Sequence, residues 1–264
     1  MAFNFCSFAS GSSGNCYMIK RNDTALLVDV GISGKRIFQG LKDTNTQLDQ
    51  VAGILITHEH IDHVRSLPIV TKKIGRAKAY ANKATWKNIQ REVAKEKKGF
   101  FVTGEDFYIE DILVRPFPIP HDAAEPVGFS FYVENKQISI VTDVGYVSDE
   151  IFEEIMDADL LVLEANHEVE VLQMGNYPYS LKRRILGDNG HLSNVTAGDC
   201  ICRLTEARDK VRRVLLGHLS NQNNAPDLAA MTIKNILHES DVFLGDKLKM
   251  DVMDRDSLSE VYEV

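Results

Sequence analysis

Thr57-His58-Glu59-His60-Ile61-Asp62-His63 follows directly on the apolar run Gly53-Ile54-Leu55-Ile56. A short apolar run of this kind reads as a buried strand. The heptapeptide therefore lies at the carboxyl end of a strand, where α/β sheets place their sites. Three of the chain's eight histidines fall between positions 58 and 63, together with two carboxylates. Neutral imidazoles and a carboxylate suit Zn²⁺, Mn²⁺ or Fe²⁺, and their crowding is awkward without a cation to share. His58 and His60, two apart on an extended segment, project the same way and can grip one ion. Asp62 and His63, where the chain turns into a helix, can face a second. Merely solvated histidines are a poor alternative directly after a buried strand.

Outward from this stretch, short β-branched and apolar runs predict strands over 3–8, 16–19, 25–28, 53–56, 77–80, 107–114, 129–133, 138–141, 160–163 and 213–216. Helical spacing predicts helices over 83–97 (Trp86, Ile89 and Val93 on one side, lysines on the other), 150–156, 195–207 and 227–237. Strands and helices alternate without a Pro/Gly/Ser-rich linker, so residues 1–264 are expected to form one α/β domain. Asp29-Val30-Gly31 after one apolar strand is echoed by Asp143-Val144-Gly145 after another, which suggests two related halves.

The 264 residues are 44% hydrophobic and 26% charged, an ordinary globular composition that argues against disorder. A formal net charge of −8 excludes a generally basic nucleic-acid binder, but not an enzyme with a local basic patch. Cys6, Cys16, Cys200 and Cys202 are too few for a disulfide scaffold and form no Cys-x-x-Cys pair, so they read as buried, reduced thiols. No apolar run approaches the ~20 residues that cross a bilayer. Met1-Ala2-Phe3-Asn4-Phe5-Cys6 lacks the positive segment of a signal peptide. The expectation is a soluble cytoplasmic protein with no membrane partner.

His58-x-His60-x-Asp62-His63 resembles the signature of the metallo-β-lactamase superfamily. That resemblance implies a four-layer αββα sandwich holding one or two metal ions between its sheets. Carried over residue by residue, it implies that His121 in Ile119-Pro120-His121-Asp122 joins His58 and His60 on the first ion. His218 in Gly217-His218-Leu219-Ser220 would join Asp62 and His63 on the second, and Asp143 would bridge both. Asp62 is counted among the catalytic residues as well. Duplication within the sandwich gives the Asp-Val-Gly echo a reason, with Asp29 supporting the histidine loop. Two ions a few ångströms apart are a standard device for displacement at phosphorus, although lactam or thioester hydrolysis would use similar metals.

Leu163-Glu164-Ala165-Asn166, Gly190-His191-Leu192-Ser193 and Gly217-His218-Leu219-Ser220 resemble the phosphodiesterase branch that includes transfer-RNA 3′-processing enzymes. The resemblance implies that Glu164 orients His191 and that His191 acts as a general acid, since a ribose alkoxide is a poor leaving group and benefits from a proton. Nearly the whole chain is similar to the YycJ/WalJ exonuclease family. The similarity is carried by Ser10-Gly11-Ser12-Ser13-Gly14-Asn15-Cys16, His121-Asp122-Ala123-Ala124-Glu125-Pro126, Glu164-Ala165-Asn166-His167 and the two Gly-His-Leu-Ser loops. It implies a 5′-to-3′ DNA exonuclease acting on duplex ends, with a part in mismatch repair. Composition and spacing alone indicate only a dinuclear hydrolase. An RNA-processing nuclease, a small cyclic-diester phosphodiesterase and a non-catalytic metal-bound binding module stay open. A purely structural metal site would be closed and would not need this ligand set.

The expected cofactors are two divalent ions, Mn²⁺ or Zn²⁺ with Fe²⁺ also admitted, and the expected partner is nucleic acid, with a homo-oligomer left open. Ser12, Ser13 and Asn15, in a loop rich in glycine and hydroxyls, can approach a phosphate or merely turn the chain. Lys83, Lys87 and Arg91 belong to the most basic tract, which spans Lys72 to Lys98, and are the expected phosphate track. Lys182, Arg183 and Arg184 form a smaller basic run near His191. Trp86 is expected in the core, Cys200 and Cys202 in helix packing, and His167 at the outer edge of the site, while His238 is given no role.

Overall fold

The computed structural model describes residues 3–264. Met1 and Ala2 of the N-terminal stretch lie outside the described residues, and Phe3 opens the first strand. In the first sheet β1 (Phe3–Ala9), β2 (Cys16–Arg21) and β3 (Thr24–Val28) run antiparallel to one another. β4 (Val51–Leu55), β5 (Lys78–Ala81) and β6 (Lys98–Phe100) continue it in parallel. The second sheet repeats that plan. After the edge strand β7 (Phe107–Ile109), β8 (Ile112–Pro118), β9 (Val127–Val133) and β10 (Lys136–Val141) are antiparallel. β11 (Leu160–Glu164), β12 (Arg212–Gly217) and β13 (Leu248–Val252) then follow in parallel. A short β14 (Tyr262–Glu263) extends the first sheet beyond β1.

Alternation along the strands makes the layers. Leu26 and Val28 of β3 join Phe129, Phe131, Ile138, Ile140 and Val162 in an apolar layer between the two sheets. Leu27, between them in sequence, points the other way and packs with Ile37 and Leu41 of α1 (Gly34–Asp43). The same outer layer takes α2 (Ile61–Val64), α3 (Leu67–Lys73) and α4 (Lys83–Asn88). Over the second sheet, α5 (Asp149–Ile155), α8 (Asn194–Ala207) and α9 (Pro226–Glu239) cover Leu161, Leu163, Val214 and Leu216. Between β11 and α8 lie two short helices, α6 (Val169–Met174) and α7 (Tyr179–Ile185). The result is the four-layer αββα sandwich.

Two expected elements divide. The 107–114 run is not one strand but the hairpin β7–β8, turned at Glu110, whose φ is 53°. The 83–97 helix ends at Asn88, because Ile89 takes extended backbone (φ −63°, ψ 114°). Trp86, Ile89 and Val93 nevertheless all reach the core of the first half. The Trp86 indole also donates to Gly99 O at 2.7 Å, which fits its expected core place. The short β6, the half-polar β13 and the two-residue β14 carry too little apolar pattern to be seen in sequence. All four cysteines are free and buried, and burial pushes Cys6 up to about 11 and Cys200 up to about 12. No helix among the described residues is long and apolar enough to cross a membrane.

Candidate metal centre

The carboxyl ends of β4, β10, β11 and β12 deliver their following residues to one place. Past β4, Thr57 and His58 are buried, and His60 opens α2, whose single turn carries Asp62 and His63. The loop from β8 to β9 adds His121, β10 leads to Asp143, β11 ends on Glu164, and His218 follows β12 directly. Ligand atoms of His58, His60 and His121 lie within 4.8 Å of one another, and so do those of Asp62, His63 and His218. The Asp143 carboxylate joins them, 3.3 Å from His63 Nε2, 3.4 Å from His218 Nε2 and 3.8 Å from His121 Nε2. Asp143 (φ 58°) and His218 (φ 55°) both sit in the left-handed region, which is uncommon for any residue but glycine and which aspartate and histidine enter more readily than most.

Each ring except that of His60 is held by its outer nitrogen. His63 Nδ1 lies 2.7 Å from Asp29 Oδ2, His58 Nδ1 3.0 Å from Thr57 Oγ1, His121 Nδ1 3.2 Å from Gly190 O and His218 Nδ1 2.7 Å from Glu164 Oε1. This leaves the Nε2 atoms turned inward. Those of His58, His121 and His218, with Asp143 Oδ2, are buried without a hydrogen-bond partner. Each such orphan costs about 1–3 kcal/mol. Four of them converging on one spot fit a pair of divalent cations, and nitrogen with carboxylate oxygen is the right donor set. The clusters are therefore suited to a dinuclear metal site.

The charges are graded. Burial lowers His58 well below the ordinary imidazole range and lowers His121 too. Burial acts the same way on His63 and His218, but carboxylates outweigh it. Asp29, Asp143 and Asp62 raise His63, while Asp143, Asp62 and Glu164 lift His218 to about 10. Glu164 is fully buried, which would raise it, yet His191 and His218 bring it down to about 2. Its Oε1 is shared between the Nδ1 atoms of His191 (2.8 Å) and His218 (2.7 Å), while Oε2 accepts the backbone N–H groups of Val144 and Leu192. The His191 side chain keeps 17% of its surface exposed. One carboxylate thus fixes a ring inside the cluster and a second ring at its open rim.

Not every expected contact residue lies where a substrate could touch it. Asn15 is fully buried: its Oδ1 accepts Gly11 N–H and its Nδ2 lies 3.2 Å from His63 Nε2, so it steadies the histidine loop and offers nothing to a phosphate. Ser12 and Ser13 are exposed at the tip of the same turn. Lys83 and Lys87 are exposed on α4, whereas Arg91 lies beyond the helix end. His167 is buried with both ring nitrogens unpartnered, and burial lowers it to about 4. Asp29 supports the histidine loop as expected, 2.7 Å from His63 Nδ1, but sequence reasoning missed the other braces. Thr57 ties Asp29 to the loop, Arg184 grips Asp122 beside His121, Asn166 Nδ2 donates to His218 O, and Ser10 Oγ accepts His218 N–H. Only Thr57, adjoining His58, carried a local signal.

The sequence matches the β-lactamase superfamily domain over residues 24–219. It is 37% identical over 253 residues to exodeoxyribonuclease YycJ of Bacillus anthracis, covering 95% of each chain. It is 36% identical over 269 residues to exodeoxyribonuclease WalJ of Streptococcus pneumoniae, covering 100% of this chain and 99% of that one. Among solved structures, the metallo-β-lactamase fold protein YhfI of Bacillus subtilis aligns over 100% of both chains with a TM-score of 0.75. At 15% identity that likeness is one of fold.

Proposed function

The chain belongs to the β-lactamase superfamily, and from that premise we propose that it is a metal-dependent phosphodiesterase that removes nucleotides from duplex DNA ends in the 5′-to-3′ direction. Full-length similarity to two exodeoxyribonucleases supports the choice of DNA. The observation that carries the chemistry is the Glu164 carboxylate shared by His191 and His218. In this reading His58, His60 and His121 hold one ion, Asp62, His63 and His218 hold the other, and Asp143 serves both. Two such ions, Mn²⁺ or Zn²⁺ with Fe²⁺ as a third candidate, supply Lewis acidity at a phosphoryl oxygen and acidify water.

The protein's own part is to place charge. Asp62 and Asp143, both held ionised by neighbouring imidazoles, keep the cluster anionic enough for divalent cations. Glu164 raises His191 above the ordinary imidazole range despite its burial, which favours the protonated ring. With Nδ1 bound to Glu164, the proton available to the departing nucleoside oxygen is the one on Nε2. All these residues come from one chain. Excision from an end suits a role in mismatch repair, and reduced buried cysteines suit the cytoplasm.

His191→Ala tests the assignment. Elemental analysis should find the metal content unchanged while cleavage of end-labelled duplex DNA falls about 10²–10⁴-fold. A nucleotide p-nitrophenyl ester, whose leaving group needs no proton, should be hydrolysed at close to the wild-type rate. Equal losses on both substrates would move His191 to phosphoryl binding, and lost metal would make it a ligand. Faster cleavage of RNA or of a small cyclic diester than of DNA by the wild type would replace the proposed substrate.

A further inference from the structure

Beside His60 lies a groove of about 500 Å³ that the chemistry above does not use. His60, Ile61 and Val64 line it from the α2 segment, Asn88 from the end of α4, and Gln90 and Arg91 from the extended chain that follows. Ile61 is 46% exposed, an apolar side chain left in the open between two candidate metal ligands in sequence. Arg91 is exposed and has no carboxylate partner among the described residues. The groove thus offers an apolar wall beside the reacting centre, two side-chain amides and an uncompensated guanidinium, on a chain whose net charge is −8.

We propose that this groove receives one unpaired nucleotide of the substrate strand, the one flanking the scissile phosphate, with its sugar and base against Ile61 and its next phosphate on Arg91. The proposal rests on the nuclease reading and adds the form in which the strand enters. The volume falls in the range of about 300–1,000 Å³ that encloses a small-molecule-sized group. It suits a single nucleotide. Glu59 also lines the groove, and its Oε1 accepts Ala124 N–H at 2.9 Å. A phosphate is therefore directed away from Glu59 and to Arg91, whose planar fork can hold it through two N–H groups. The terminal base must leave its partner to enter, and this is least costly at a frayed or single-stranded end.

The test uses full-length protein loaded with Mn²⁺, on a duplex with a short single-stranded overhang, a duplex whose terminal pair is covalently cross-linked, and bis-p-nitrophenyl phosphate. The overhang should be degraded readily and the cross-linked end should resist. Arg91→Ala should raise KM for the overhang about tenfold with little change in kcat, the scale of one lost charge-assisted contact, and Arg91→Lys should recover part of it. Fluorescence-anisotropy binding of a labelled single-stranded oligonucleotide in EDTA should weaken in parallel, with no turnover involved. Equal cleavage of cross-linked and overhanging ends, an unchanged KM, or an equal fall on the small diester, which carries no second phosphate for Arg91 to hold, would each overturn the proposal. A wild type active on the small diester but inert on DNA would overturn the nuclease reading itself, and this inference with it.

Discussion

Asp29 and Asp143 hold the same position in the two halves of the molecule. Each follows the third strand of the repeated plan, β3 or β10, in left-handed backbone, with φ of 60° and 58°. Each precedes a fully buried valine, Val30 or Val144. Each is then followed by a glycine with no room for a side chain, since a Cβ would come 1.5 Å from Asp62 O at Gly31 and 1.9 Å from Asp188 O at Gly145. The backbone device is one and the same. The carboxylates differ in what the next strand brings them. After β4 comes Thr57, whose N–H (3.0 Å) and hydroxyl (2.9 Å) both donate to Asp29, with His63 Nδ1 at 2.7 Å. At the end of β11 stands Glu164, an acceptor that can donate nothing. Asp143 Oδ2 is left without a hydrogen-bond partner, and the two carboxylate oxygens together face imidazoles of both clusters. A duplicated scaffold has thereby made a brace from one aspartate and a candidate metal ligand from the other.

The largest effect expected from this contrast is at Asp143. Asp143→Asn keeps the shape and removes the charge that faces both clusters, so it should abolish hydrolysis of DNA and small diesters alike and lower metal content. Two ions retained per chain with normal turnover would remove Asp143 from the site and dissolve the contrast with Asp29.

Acidity separates the two clusters next. In the metal-free protein burial keeps His58 and His121 neutral, whereas carboxylates hold protons on His63 and His218, the latter to about 10. A cation binding His58 and His121 therefore displaces no proton from either ring, while one at His63 and His218 must expel a proton from each. Protons compete below those raised values, so affinity at the second cluster should increase with pH. That dependence should be steeper than for a cation held by His58 and His121, whose rings carry no proton to displace. Competition titrations with a metal indicator would read both slopes, and equal slopes would contradict the grading.

A third comparison is direct. Asp29→Asn leaves every candidate ligand in place but weakens the hold on His63 Nδ1, and substitutions of this supporting kind cost about 10–100-fold in metal affinity or activity. The loss should therefore be partial and recoverable with added Mn²⁺. If Asp29→Asn were as inert as Asp143→Asn at saturating metal, Asp29 would be more than a brace.

The site was more legible in the sequence than the contacts that hold it. Seven candidate ligands stood in short motifs at strand ends, and the structure gathers all seven, because a strand end followed by a polar turn is a local pattern. The echo at Asp29 and Asp143 was visible for the same reason. What was lost depends on distance in sequence. Asn15 looked like a phosphate contact because its glycine- and serine-rich surroundings say nothing of His63, which lies 48 residues away. The 83–97 segment shows the opposite error: Trp86, Ile89 and Val93 are spaced for a helix face and do reach the core, but extended chain after Asn88 buries them equally well. Periodicity reported the burial and not the backbone.

The smallest effect should come from Thr57→Val, which preserves shape while deleting one of the three donors to Asp29 and the neighbour of His58 Nδ1. Asp29 keeps the backbone N–H of position 57 and the His63 ring, so its orientation should persist. Losing a buried hydrogen bond and stranding its partner costs about 1–3 kcal/mol. For a chain of this size that is a drop in Tm of roughly 2–4 °C per kcal/mol, measured with metal removed so that ligand binding does not mask it. Turnover at saturating Mn²⁺ should stay within a few-fold of wild type, because no candidate ligand is lost. The second half offers the control: Asp143 has no hydroxyl donor of this kind, so its role should not depend on one. A loss of turnover approaching that of Asp143→Asn would show that the threonine holds the reacting centre itself, and that the two aspartates divide their work less cleanly than their hydrogen bonds imply.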